Sequence, residues 1–242
     1  VAAQGRTIDA HWQPVPYEVP RALEAAEMAP LVDTWAAAAA NAVAAGFDGV
    51  EVHGANGYLL EQFLQSRSNR RTDAYGGSIA NRCRLVLEVV DAVVAAVGRD
   101  RTGIRLSPWG VANDSGEDEP LPLYRHLVGE LARRELAYLH LIEPRASGAG
   151  KADLVREGQP SAAAVFRPLW PTVLIDAGGF DRAGAIEAVA SGRADAVAFG
   201  RWFIANPDLP HRLRVGAPLN PYHRPTFYGG GAAGYTDYPA LA

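Results

Sequence analysis

The sequence predicts an α/β fold with a parallel sheet, organised as the last five βα units of a TIM (β/α)8 barrel. Three observations carry that prediction. Short β-rich apolar runs alternate with longer segments of helical periodicity, the pattern of parallel strands joined by right-handed crossovers. The last two strand ends carry glycines, with Arg201 beside the second, where complete barrels often hold a phosphate. A chain of 242 residues, 48% hydrophobic and 21% charged, can bury a core large enough for one such domain.

The elements follow in order. Residues 1–30 hold four prolines and little periodicity, and read as an extended arm or loop. Leu31 to Ala45 has helical spacing, and Phe47 to His53 alternates as a strand does. Residues 54–77 are polar and Gly-rich, with a short apolar turn at Tyr58 to Leu64. Ser78 suits the N-cap of a long helix, Ile79 to Val97, whose Leu85, Val86, Val89, Val90, Val93, Val94 and Val97 repeat at helical spacing. Strand Thr102 to Leu106, helix Leu121 to Glu135 and strand Tyr138 to Ile142 come next. After a long loop and a short helix, the scheme repeats with strand Thr172 to Ile175, helix Asp181 to Ser191 and strand Ala194 to Phe199. A terminal helix near Pro207 to Val215 precedes a tail rich in Pro, Gly and Tyr. Eight strands close such a barrel, and residues 1–30 cannot hold three more βα units of roughly 30 residues each. The pattern is a single partial barrel domain over 1–242.

Composition excludes several classes of function. A net charge of −4 argues against a nucleic-acid surface. A single cysteine, Cys83, excludes an internal disulfide and a cysteine zinc cluster. No run approaches the roughly 18 apolar residues of a membrane span, and VAAQGRTIDA lacks the layout of a signal peptide. A cytoplasmic protein acting on a small molecule, with no nucleic-acid or membrane partner, is expected.

Functional residues of parallel α/β folds lie in the loops after the strands. The first such loop reads His53-Gly-Ala-Asn56-Gly-Tyr58. Two donors, His53 and Asn56, could stabilise negative charge developing on one oxygen, and tyrosine keeps its proton at neutral pH, so Tyr58 could be a general acid. The plainer alternative is a polar strand end with capping side chains. Arg105 ends the second strand, where it faces either an anionic or carbonyl ligand or a neighbouring carboxylate. Asp176-Ala-Gly178-Gly179 and Gly200-Arg201 end the fourth and fifth. Glycines there would let backbone N–H groups approach a phosphate, with Arg201 adding charge; tight turns are the alternative.

Other features carry no site. Gly148-Ala-Gly150-Lys151 lacks the first glycine and the Ser or Thr of a P-loop. His11, His126, His140, His211 and His223 are scattered without metal-ligand spacing, so no metal site is expected. The acidic run Asp114 to Glu119 lacks the EF-hand layout.

Taken together, HGANGYLLEQFLQSRSNRRTDAYGGSIANRCR (53–84), RLSP (105–108), LIEPR (141–145), AGGF (177–180), FGRWFIANPDLP (199–210) and GYTDYP (234–239) strongly resemble the Old Yellow Enzyme family of FMN-dependent ene-reductases. PVPYEVPRAL (14–23) resembles the family's segment before its third helix. The resemblance implies an NAD(P)H-dependent oxidoreductase that reduces activated C=C bonds in enones, maleimides and nitro compounds, with FMN as cofactor and NADPH or NADH as reductant. It implies that His53 and Asn56 hold the substrate oxygen, that Tyr58 protonates the substrate, and that Arg105 sits against the flavin. Gly178, Gly179, Gly200 and Arg201 would bind the FMN phosphate, and Tyr235 would line the mouth of the site. The family's first three strands have no counterpart here, which implies a fragment or truncated product, completed by a second chain or by exchange in a homo-oligomer. Two alternatives stand beside this reading: a non-catalytic or partner-dependent flavin- or phosphate-binding half-barrel, and a different phosphate-handling barrel such as an isomerase.

Overall fold

The computed structural model describes residues 6–8, 13–16, 18, 20–146, 159–228 and 231–241. His11 and the Gly148–Lys151 stretch lie outside them.

Where the sequence predicts an extended arm or loop, residues 6–8 and 14–16 form two short strands. Strands β1 (Arg6–Ile8) and β2 (Pro14–Pro16) pair antiparallel, with Thr7 opposite Val15. Prolines are tolerated in such a strand because a two-stranded pair has free outer edges. Helix α1 (Met28–Ala44) begins before the expected Leu31. Pro30 lies in its first turn, where a backbone N–H has no intrahelical partner to lose. The chain is turned into the helix by Glu27, whose carboxylate takes the Glu24 N–H at 2.7 Å and pairs with Arg21.

The five predicted parallel strands are present: β3 (Val50–Gly54), β4 (Thr102–Leu106), β5 (Tyr138–Ile142), β6 (Val173–Ala177) and β7 (Ala196–Ala198). They lie in chain order, β3 and β7 at the two edges. The intervening helices are α2 (Leu59–Leu64), α3 (Ile79–Val97), α4 (Pro120–Ala132), α5 (Ala162–Phe166) and α6 (Arg182–Ala190). Two short helices follow β7, α7 (Arg201–Ala205) and α8 (Leu209–Val215). Ser78 caps α3 as expected, its hydroxyl accepting the Asn81 N–H.

Strand alternation splits the sheet into two faces. Val52, Ile104, Leu106, Leu139, Leu141 and Leu174 point toward the helices and are buried in one core. Leu85, Val86, Val89, Val90 and Val93 of α3 and Leu123, Leu127 and Leu131 of α4 complete that core. The register aligns the other set across the sheet: His53 with Arg105, Arg105 with His140, Ile142 with Ala177, and Ala177 with Ala198. These residues form the concave face and carry the candidate site.

Between β3 and α3 the chain is held by buried polar contacts. The Asn69 side chain donates to the carbonyls of Phe63 and Tyr75. Arg82 of α3 donates to the Leu64 carbonyl and to the buried Glu117 carboxylate. The segment SNRRTDAYGGSIANR thus fixes the loop that follows the first strand of the sheet.

Candidate flavin and substrate site

At the C-terminal ends of the strands lies a cavity of about 690 Å³. Asn56, Tyr58, Arg105, Gly178, Gly179, Gly200 and Arg201 all line it. Residues separated by up to 145 positions in sequence therefore share one cavity, because parallel strands bring all their C-terminal ends to one side. The volume lies within the range of small-molecule and cofactor pockets.

His53 is not among the lining residues, but it lies beside two of them, opposite Arg105 in the register and against Tyr58. It is half-buried, and its ring lies 5.4 Å from that of Tyr58, centroid to centroid. Burial, and then the charge of Arg105, hold its imidazole below the usual histidine range, while Glu51 opposes them. At neutral pH the ring is uncharged and offers one N–H. Asn56 follows in left-handed backbone (φ 59), which asparagine tolerates better than most residues. Tyr58 precedes the first residue of α2 and is 56% exposed, so its hydroxyl is accessible from the cavity.

Arg105 is the cation of the cavity floor. Burial depresses its pKa and Glu51 raises it, yet its buried Nε has no hydrogen-bond partner. The salt-bridge alternative is therefore not met by Glu51, which instead lies 2.9 Å from His140 Nδ1. Burial works against the Glu51 carboxylate, but the hydrogen bond and charge of His140, the charge of Arg105 and a bond from Tyr138 together outweigh it and hold the group below its usual range. The opposite nitrogen of His140, Nε2, is also buried without a partner. Two orphaned donors or acceptors side by side in the register are a polar floor prepared for a ligand.

The far wall is built of glycine backbone. Gly178 has φ 120, and a Cβ there would come within 2.9 Å of the Ala146 Cβ. Its carbonyl accepts from Arg145 Nε, whose guanidinium lies 4.3 Å from the Phe180 ring centroid. Gly200 and Arg201 open α7, and Arg201 stacks on Tyr222 at 5.6 Å. Behind this wall, Asp176 is fully buried. Burial, reinforced by the charge of neighbouring Glu143, holds its carboxyl well above the usual range.

The structure does not bring Tyr235 to the site. It is 61% exposed and outside the lining, where Phe227 and Tyr228 represent the tail instead. Sequence reasoning missed His140 and Ile142. Both sit on the same face of β5, and alternation from Arg105 across the register would have found them.

The NADH:flavin oxidoreductase / NADH oxidase family model matches residues 3–220. The chain belongs to that family. Among NADH:flavin oxidoreductase relatives, 12-oxophytodienoate reductase 2 of Arabidopsis thaliana is 49% identical over 224 residues, which cover 92% of this chain and 59% of the relative. A probable flavin mononucleotide-dependent alkene reductase of Leishmania infantum is 48% identical over 226 residues, covering 93% and 60%. The solved structure of morphinone reductase superposes with a TM-score of 0.87 at 46% identity, over 98% of this chain and 62% of that one. The Old Yellow Enzyme homologue of Zymomonas mobilis superposes with a TM-score of 0.91 at 36% identity, over 100% and 67%. The five-stranded sheet is thus a section of the family's barrel, and the chain spans about 59% of the length of the Arabidopsis relative. No helix among the described residues is long and apolar enough to cross a membrane.

Proposed function

We propose that this chain carries the FMN and substrate half of an ene-reductase site, reducing activated C=C bonds with NADPH or NADH as the source of electrons. One observation carries the reading: the donors Asn56 and Tyr58, the cation Arg105 and both glycine loops line a single cavity. The residues fit the cofactor. The unpartnered Nε of Arg105 suits an anionic or carbonyl edge of a flavin ring. Gly178, Gly179 and Gly200 suit the phosphate, since backbone without Cβ allows close approach, and Arg201 adds charge. FMN, when bound, supplies the hydride chemistry.

The chain's own residues then prepare the substrate. His53 and Asn56 donate to its carbonyl or nitro oxygen and withdraw electron density from the C=C bond, as oxyanion donors do. Neutral His53 does this without placing a second full charge beside Arg105. Tyr58, at the rim, delivers a proton from its hydroxyl to the substrate carbon next to the activating group. Glu51 and His140, hydrogen-bonded to each other, hold the floor beside Arg105.

The test is Tyr58→Phe. Losing a general acid lowers turnover of a cyclic enone by about 10²-fold, with FMN affinity unchanged. Equal turnover with Phe would remove Tyr58 from the mechanism, and an FMN-loaded wild-type chain with no turnover would favour the binding-only alternative. A partner-dependent reading is favoured by one feature, the 45% exposure of Val173 on the concave face of β6, the strand beside the edge strand β7. It predicts a dimer or mixed complex by solution mass, with activity rising as the complex forms.

A further inference from the structure

The loop that presents Asn56 and Tyr58 is held from beneath by a carboxylate that no sequence pattern singled out. Asn56 and Gly57 both have left-handed backbone. A Cβ at Gly57 would lie 2.1 Å from the Ala112 carbonyl oxygen, so the turn admits only glycine and packs tightly on the next loop. Glu61 of α2 lies directly under it and is fully buried. Its Oε2 accepts the Gly57 N–H at 2.5 Å. Its Oε1 accepts the Ser107 hydroxyl at 2.5 Å and the Tyr124 hydroxyl at 2.9 Å. Ser107 Oγ in turn accepts the Asn56 N–H at 2.9 Å, and the Asn113 side chain donates to the Asn56 carbonyl at 2.9 Å. One carboxylate therefore ties together β3's exit loop, β4's exit loop and α4.

A buried carboxylate without a counter-charge is costly, and packing alone would place an apolar residue here. We propose that Glu61 is the positioning residue of this site: through Gly57 directly, and through Ser107 to Asn56, it fixes the left-handed turn that aims Asn56 and Tyr58 into the cavity. The proposal rests on the ene-reductase reading for its effect on turnover, and on geometry alone for its effect on the loop.

The groups facing Glu61 are the Gly57 amide, the Ser107 hydroxyl and, from α4, the Tyr124 hydroxyl. Gln65 donates to Tyr124 at 3.4 Å, and Glu117, paired with Arg82, acts on Tyr124 from farther off. Burial, opposed by the three hydrogen bonds, pushes the Glu61 carboxyl up to about 7. Ionised, it accepts from all three donors; protonated, it must become a donor itself and one contact must turn round.

Two substitutions separate position from charge. Glu61→Gln can still accept from Gly57 through its carbonyl, while its amide donates to the Tyr124 and Ser107 oxygens. Glu61→Leu fills the space and leaves the Gly57 N–H unpaired. Two readouts are taken: amide exchange over residues 55–58 in the protein without ligands, and turnover per bound FMN. With Glu61→Leu, exchange rises at least about tenfold and turnover per bound FMN falls about 10- to 100-fold, the scale of a misplaced reacting group. Glu61→Gln restores both to within about threefold and abolishes any step in the pH profile near 7. Should Glu61→Leu fail to fold, Ser107→Ala gives the milder form, with exchange at Asn56 raised and turnover lowered about three- to tenfold. Unchanged exchange and unchanged turnover per bound FMN in Glu61→Leu, or in Ser107→Ala, would overturn the proposal. So would a Glu61→Gln protein with a protected loop and turnover as low as Glu61→Leu, since charge and not position would then be at work. A wild-type chain that binds no FMN would defeat the functional reading, while exchange over 55–58 would still decide the role of Glu61.

Discussion

Leu106 and Arg105 are neighbours on β4 and face opposite layers. Leu106 packs into the helix layer and is fully buried among apolar side chains. Arg105 lines the cavity, with a buried nitrogen that no side chain satisfies. The same division runs along the sheet: Ile104, Leu139 and Leu174 on the helix side, His140, Ile142 and Ala177 on the cavity side. One face of each strand stabilises the protein, and the other offers unsatisfied chemistry to a ligand. A two-residue period is what lets both roles share five-residue strands.

Substitutions across that boundary sharpen the contrast. Leu106→Ala removes a core side chain and should destabilise the fold by about 2–5 kcal/mol, read by denaturant unfolding. Arg105→Ala, one residue away, should cost less than about 1 kcal/mol of stability, because no hydrogen bond of its Nε is lost. It should weaken FMN about 10- to 100-fold, the scale of a charge-assisted hydrogen bond. A large stability loss with unchanged FMN affinity would reverse the assignment of faces.

Asp176 is a buried carboxyl on the helix side whose oxygens have no hydrogen-bond partner, and burial and Glu143 outweigh the opposing charge of Arg145. Its folded-state pKa is raised, so the folded chain keeps a proton that the unfolded chain releases. Stability contributed by the protonated form is full below about pH 4 and declines as pH rises toward the raised value. Asp176→Asn removes that slope. The variant should gain several degrees in Tm relative to wild type at pH 8.5 and little at pH 5. Equal gains at both pH values would mean that the carboxyl is not the source.

The smallest effect belongs to Cys83, fully buried on α3 with its thiol pushed by burial up to about 12. A thiol reagent at pH 8 should leave the folded chain unlabelled and label it fully after denaturation. Rapid labelling of the folded chain would show that the helix layer opens.

How much of this was legible beforehand follows the same boundary. Strands β4 and β5 were read with their bounds because their helix-side residues are β-rich and wholly buried. Strand β7 is shorter than read, since an edge strand has a ladder on one side only. Helix α7 was missed because its five residues are too few to show a period. On the cavity side, Asn56, Tyr58, Arg105 and the glycine loops were found by their place after strands and by resemblance. His140 and Glu61 were not. His140 was within reach of strand alternation from Arg105, but Glu61 draws its meaning from Ser107, far along the chain, and nothing local marks such a pair.

The proposed flavin site on the concave face stands or falls on FMN binding. Calorimetric titration of the purified chain with FMN, followed by its visible spectrum, tests it most directly. One FMN should bind per site, with binding weakened by Arg105→Ala and unaffected by Tyr58→Phe. Binding that is absent, or that ignores Arg105, would contradict it.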